Sequence, residues 1–200
     1  MSNSPLVNYT KISPYKNSPR NHKIDTVTIH CAVGQCFIEV FGAVFNNPDR
    51  PVSANYGIAK DGKIGLFVDE KDRSWCSSNA ANDNRAITIE VASDTTPPYA
   101  VTDAAYKSLI NLLTDICRRN NIKELKWKAD RSLIGQVDKQ NMTVHRWFAN
   151  KSCPGEYLYS RHGQIAKEVN ARLGKLESSD KVVSSKEVLR IRKTWADSKT

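Results

Sequence analysis

The sequence predicts an α/β domain, a central mixed β-sheet flanked by helices. Three observations carry that prediction. Short runs rich in β-branched residues alternate along the chain with longer patterns of helical period. An Asp61-Gly62 pair sits between two apolar runs and marks a hairpin. The chain has 200 residues, 40% of them hydrophobic. That length suits one domain and an appendage, since about 150 to 170 residues already bury a substantial core.

Each element follows in order. IDTVTIH, from Ile24, alternates and reads as a strand ending at His30. CFIEVFGAVF (36–45) has apolar residues on most faces and predicts a buried helix. YGIAK and KIGLFV are the two arms of the hairpin around Asp61-Gly62. RAITIEVAS (85–93) is another apolar strand and carries a single acid, Glu90, which inside such a strand calls for a partner. In TDAAYKSLINLLTDICRRNN, Thr102 is the expected N-cap, and Ala105, Leu109, Leu112 and Ile116 form one helical stripe. NMTVHRWF is short and β-like, ending near His145. GEYLYSRHGQIAKEVNARLG returns to helix, with Gly174 as its stop. Beyond it, KLESSDKVVSSKE is polar and serine-rich, the composition of a linker. VLRIRKTW then alternates with no partner strand in view. The expected organisation is one domain over residues 1–174, followed over 175–200 by a linker and the start of a further module.

Composition excludes several classes. No run of about 18 apolar residues exists, so no membrane insertion is expected. The N-terminus is polar, punctuated by proline, and lacks the apolar region of a secretory signal, which predicts synthesis in the cytoplasm. Five cysteines without a C-x-x-C pair argue against a disulfide framework. Cys31, Cys76 and Cys117 lie among apolar or small residues and read as buried thiols, and Cys36 reads the same way. The formal net charge of +9 suits a polyanionic partner, either nucleic acid or a cell-wall polymer. No basic run interleaved with aromatics supports the nucleic-acid choice.

The most unusual stretch is HRWFANKSCPG (145–155). It sets His145 eight positions before Cys153, with Pro154 and Gly155 behind the cysteine. Two histidines and one cysteine make a plausible three-ligand zinc set that leaves a fourth position open. His30, closing the first strand, is the natural third donor. His22 lies in a polar segment and His162 on the side of the last helix that looks exposed, so both are weaker candidates. Taken singly, His145 and Cys153 are better read as a hydrogen-bonded core histidine and a buried thiol, and only their joint appearance with His30 brings the metal reading level. Spacing alone leaves both readings open.

TVTIHCAVGQ, SANYGIAKDGKI, AITIEVAS and above all TVHRWFANKSCPG resemble the zinc amidases that cut N-acetylmuramoyl-L-alanine bonds. This is the family of phage T7 lysozyme-type amidases and peptidoglycan recognition proteins. The resemblance spans roughly residues 20 to 172 and is greatest to amidase domains of endolysins and prophage lysins from clostridium-like hosts. It implies the fold of that family, a zinc ion on His30, His145 and Cys153, and hydrolysis of the muramoyl–alanine amide by a zinc-activated water. It implies further that Tyr56 lines the zinc water, that Lys151 stabilises the oxyanion, and that Glu90 or Tyr56 handles the proton. Residues 1–174 would then be the catalytic domain and 175–200 a linker with the start of a cell-wall-binding module. The partner would be bacterial peptidoglycan, with anionic wall polymers as a second candidate and no nucleic acid, and the protein would act on the wall after release. One departure stands out: many relatives carry a histidine shortly after the tryptophan matching Trp75, where this chain has Cys76 and Ser77. That loop's substrate contacts are therefore in doubt, and Trp75 itself either stacks on sugar or covers the core.

Two other classes compete. A cysteine endopeptidase would use Cys153 as nucleophile and His145 as base, although in such enzymes the cysteine usually precedes its histidine. A non-catalytic wall-binding protein would typically lack the cysteine ligand, which this chain keeps together with Lys151.

Overall fold

The computed structural model describes residues 2–174. In chain order the elements are β1 (Tyr9–Thr10), β2 (Lys16–Asn17), β3 (Thr26–Cys31), α1 (Ile38–Val44), β4 (Tyr56–Ile58), β5 (Ile64–Leu66), β6 (Arg73–Ser74), α2 (Ala80–Arg85), β7 (Ala86–Val91), α3 (Asp103–Arg119), β8 (Met142–Thr143) and a last helix, α4, over residues 155–174. Six strands form one sheet in the order β1-β5-β4-β7-β3-β8, and β2 pairs with β6 apart from it. Only the β4–β5 hairpin is antiparallel within the large sheet. The sheet is therefore mixed, as the sequence predicts. The expected linker and strand over 175–200 lie outside the described residues.

Side-chain alternation along β3 and β7 gives the sheet two different faces. Val27, Ile29 and Cys31 of β3 join Ile87, Ile89 and Val91 of β7 in a core completed by α3 and α4. Thr102 caps α3 by accepting the Ala105 N–H, and Ala105, Leu109, Leu112 and Ile116 are fully buried, as the stripe requires. The other face carries Thr28 and His30 on β3 opposite Thr88 and Glu90 on β7. Here hydroxyls replace methyls: Thr28 Oγ1 meets Thr143 Oγ1 at 2.7 Å, and Thr88 Oγ1 meets Ser74 Oγ at 2.7 Å. This polar ladder leads to the carboxyl ends of two central parallel strands, where open α/β sheets place their ligands.

Three expectations change. The stretch 36–45 is not buried all round, because Phe37 and Val40 are exposed while Ile38, Phe41 and Phe45 pack inward. Helix α1 lies against the hairpin at one flank of the sheet, so only one side of it is covered. That contact is close: a Cβ on Gly65 would come within 2.6 Å of the Phe67 ring and 2.8 Å of Ile38. The β-like NMTVHRWF is strand only at Met142–Thr143, and a 3-10 turn begins at His145. The polar N-terminal segment is tied into the fold. β1 adds a parallel edge strand, and buried Arg20 donates to the carbonyls of Glu70, Asp72, Asn84 and Ala86.

Candidate metal centre

His30 closes β3 and is fully buried on the polar face, paired in register with Glu90 of β7. Parallel pairing of β3 with β8 delivers the next donor, because only Val144 separates β8 from His145. The loop after His145 folds back on itself. Arg146 N donates to Cys153 O at 3.0 Å, Ala149 N to His145 O at 3.2 Å, and Gly155 N to Ser152 O at 2.8 Å. Gly155 is required there: its φ is +74°, and a Cβ would meet Tyr99 at 2.7 Å. The loop thereby returns Cys153 to His145.

The outcome is a compact donor set. Cys153 Sγ lies 3.3 Å from His30 Nδ1, and the His30 and His145 rings stand 5.1 Å apart at 67°. One donor atom from each of His30, His145 and Cys153 falls within 4.8 Å of the others. Burial holds the His30 imidazolium down to about 3, helped by electrostatic coupling to the neighbouring His145 and His162. Burial and then the Lys151 cation lower His145 as well. Both rings are therefore neutral near pH 7, with a lone pair to offer. The hydrogen bond with the Cys31 thiol, followed by burial, pushes the Cys153 thiol well above its usual range. Two neutral imidazoles beside a cysteine that needs a cation to ionise suit a borderline-soft divalent metal such as zinc.

Glu90 stands at the edge of this set. Its Oε1 is 3.9 Å from His30 Nδ1 and 3.9 Å from Cys76 Sγ, while Oε2 has no hydrogen-bond partner. Burial pushes the carboxyl up to about 7, opposed by the Arg50 cation and the Cys76 contact. A carboxyl poised near neutrality takes up and returns a proton readily. Lys151 is exposed in the loop between His145 and Cys153, near enough to His145 for its charge to act there. Cys76 is half-buried and forms a second donor group with His30 and Glu90.

Tyr56 is not part of the site, which corrects its expected role. It pairs in register with Ile89, so its side chain enters the apolar core on the face opposite Glu90. Its hydroxyl donates to Glu70 Oε1 at 2.7 Å and accepts from Ser4 N at 2.9 Å. His162 is also corrected: it is fully buried, with its ring 4.5 Å from that of Trp127. Trp75 is exposed, its ring 6.0 Å from that of Tyr15 and its Nε1 donating to Asn17. Ser77 and Ser78 were not anticipated. Their Oγ atoms lie 3.3 Å from His30 Nε2 and 3.0 Å from His145 Nε2. Nothing periodic in CSSN announces them.

Residues 20–156 match the protein family described as N-acetylmuramoyl-L-alanine amidase. No curated protein matches the chain. Among solved structures, AmpD, as a selenomethionine derivative, superposes with a TM-score of 0.60 at 20% identity, covering 82% of this chain and 96% of that one. A mutant endolysin from Bacillus subtilis gives 0.57 at 16% identity, covering 82% and 99%. LysCS, an endolysin N-acetylmuramoyl-L-alanine amidase from Clostridium intestinale URNW, gives 0.53 at 19% identity, covering 87% and 99%. At these identities the superpositions speak for the fold.

Proposed function

The chain belongs to the N-acetylmuramoyl-L-alanine amidase family, peptidoglycan hydrolases that cut between N-acetylmuramic acid and L-alanine, and from that premise we propose that His30, His145 and Cys153 hold one zinc ion. The observation that carries this reading is the convergence of their three donor atoms within 4.8 Å, across 123 residues of chain between His30 and Cys153. Zinc at such a centre supplies Lewis-acid polarisation of a carbonyl and acidifies water to a pKa near about 7.

The protein's own groups do the rest. Glu90, with a pKa of about 7, accepts the proton of the attacking water and passes it to the departing alanine nitrogen. With Tyr56 hydrogen-bonded to Glu70 in the opposite core, Glu90 is the one acid–base group of the proposed pair beside the metal ligands. Lys151 brings a cation to the developing oxyanion. Neutral imidazoles at His30 and His145 would offer lone pairs to the metal instead of competing for the substrate's proton. The endopeptidase alternative needs a Cys153 thiol of lowered pKa, whereas its surroundings raise it. The charge of +9 favours approach to an anionic wall. No helix among the described residues is long and apolar enough to cross a membrane.

Elemental analysis of the wild type and of His30→Ala, His145→Ala and Cys153→Ala tests the ligand set. One zinc per wild-type chain and its loss in each variant is expected, and stoichiometric zinc in any two variants overturns the assignment. Mass spectrometry of digested peptidoglycan tests the reaction. Free L-alanine amino groups without new reducing ends are expected, and intact muramoyl–alanine links with cut peptides point to an endopeptidase.

A further inference from the structure

Between β6 and α2, the hydroxyls of Ser77 and Ser78 meet Nε2 of His30 and of His145, and in His30 this is the nitrogen opposite the one beside Cys153. A serine hydroxyl has one proton to give and two acceptor positions. At Ser77 two of these positions are occupied. Asn82 Nδ2 donates to Oγ at 3.2 Å, and the same oxygen lies 3.3 Å from His30 Nε2. With Nδ1, 3.3 Å from Cys153 Sγ, offering its lone pair to the metal of the zinc reading, the neutral ring carries its proton on Nε2, where Ser77 Oγ can accept it.

Asp83 is itself buried and held. It accepts the N–H of Cys76 at 3.1 Å and of Ser77 at 3.2 and 3.1 Å. Asn79 caps α2 by accepting Asn82 N at 2.9 Å, which sets Asn82 and Asp83 in place at the first turn. Ser78 has a φ of +58°. Glycine adopts that conformation without strain. A serine there adds a Cβ that strains the turn and a hydroxyl that meets His145 at 3.0 Å.

We propose that Ser77 and Ser78 are positioning residues of the metal centre, each accepting the Nε2–H of one histidine so that both Nδ1 lone pairs face the metal, with Asp83 backing Ser77. A serine hydroxyl thus stands beside each histidine where zinc sites commonly place a carboxylate or carbonyl. The inference rests on the zinc reading above.

The test measures zinc affinity of the full chain by competition with a chromophoric chelator, together with the visible spectrum of the cobalt-substituted protein. Ser78→Gly removes the hydroxyl and relieves the left-handed strain. It is expected to weaken zinc about 10- to 100-fold while the metal-free protein melts no lower than the wild type. Ser77→Ala should weaken zinc to a similar degree and Ser77→Thr should restore it, with the cobalt bands shifted only in the weakened variants. If Ser77→Ala fails to fold, Ser78→Gly decides alone. Zinc affinities within about twofold of wild type and unchanged cobalt spectra in the folded hydroxyl-less variants overturn the positioning role while leaving the metal centre intact. A wild-type chain that binds no zinc overturns both.

Discussion

Removing one oxygen atom, in Tyr56→Phe, separates a catalytic tyrosine from a structural one. The hydroxyl makes two buried bonds, to Glu70 Oε1 at 2.7 Å and from Ser4 N at 2.9 Å. Glu70 would keep Arg119, whose Nη1 and Nη2 donate at 2.9 and 2.5 Å, and Asn120 Nδ2 at 3.0 Å. Its charge stays compensated, so the loss falls at the lower end of the roughly 1.5–3 kcal/mol expected for a hydrogen bond to a charged group. Stranding the Ser4 N–H adds about 1 kcal/mol. A total near 2–3 kcal/mol lowers the melting temperature by about 5–10 °C at this domain size. Because the ring lies on the face opposite Glu90, kcat on small muropeptides should stay within about twofold. The assay pairs thermal unfolding with single-substrate kinetics and zinc content. A loss in kcat of about 100-fold or more at unchanged melting temperature and zinc content would refute the reasoning and return Tyr56 to the site.

Other outcomes follow from the same geometry. Glu90→Gln should keep zinc and fold while kcat falls about 10²–10⁴-fold; loss of zinc or unfolding would make Glu90 a structural acid. Lys151→Ala should lower kcat about 10²–10³-fold with zinc retained, and a near-normal rate would remove it from the oxyanion's surroundings. Burial holds His162 at about 4, below its unfolded value, so its neutral form stabilises the fold above pH 6.5 and that contribution drains away as pH falls toward 4. Between about pH 7.5 and about pH 5 the wild type should therefore lose about 2 kcal/mol more stability than His162→Asn. Unfolding curves in denaturant at the two pH values measure this, and equal losses would show that another group sets the slope.

The local elements were legible because their signals are local. The cap at Thr102, the stripe Ala105–Leu109–Leu112–Ile116 and the Asp61-Gly62 turn each depend on neighbours within a few residues, and each is where the pattern puts it. The loop HRWFANKSCPG was likewise legible, since eight residues of spacing suffice to say that His145 and Cys153 can meet. What the sequence left open was every relation that depends on which strands pair and which way a side chain points. His30 reaches the other donors because β3 pairs in parallel with both β7 and β8. Tyr56 and Glu90 lie on strands that are neighbours in the sheet, yet the register matches Tyr56 to Ile89 and so turns it to the opposite face. His162 lies on a side of its helix that the sequence pattern leaves exposed, but Trp127, from a segment without regular structure, covers it. The serines were silent for a related reason: a hydroxyl acquires a role only from the nitrogen it faces. Ser78 faces His145 through a left-handed backbone that no residue pattern in CSSN specifies. Composition and periodicity determine which segments can be strand, helix or turn, because those depend on nearest neighbours. The site exists only where distant segments share one end of a sheet, and that is settled by strand order and register.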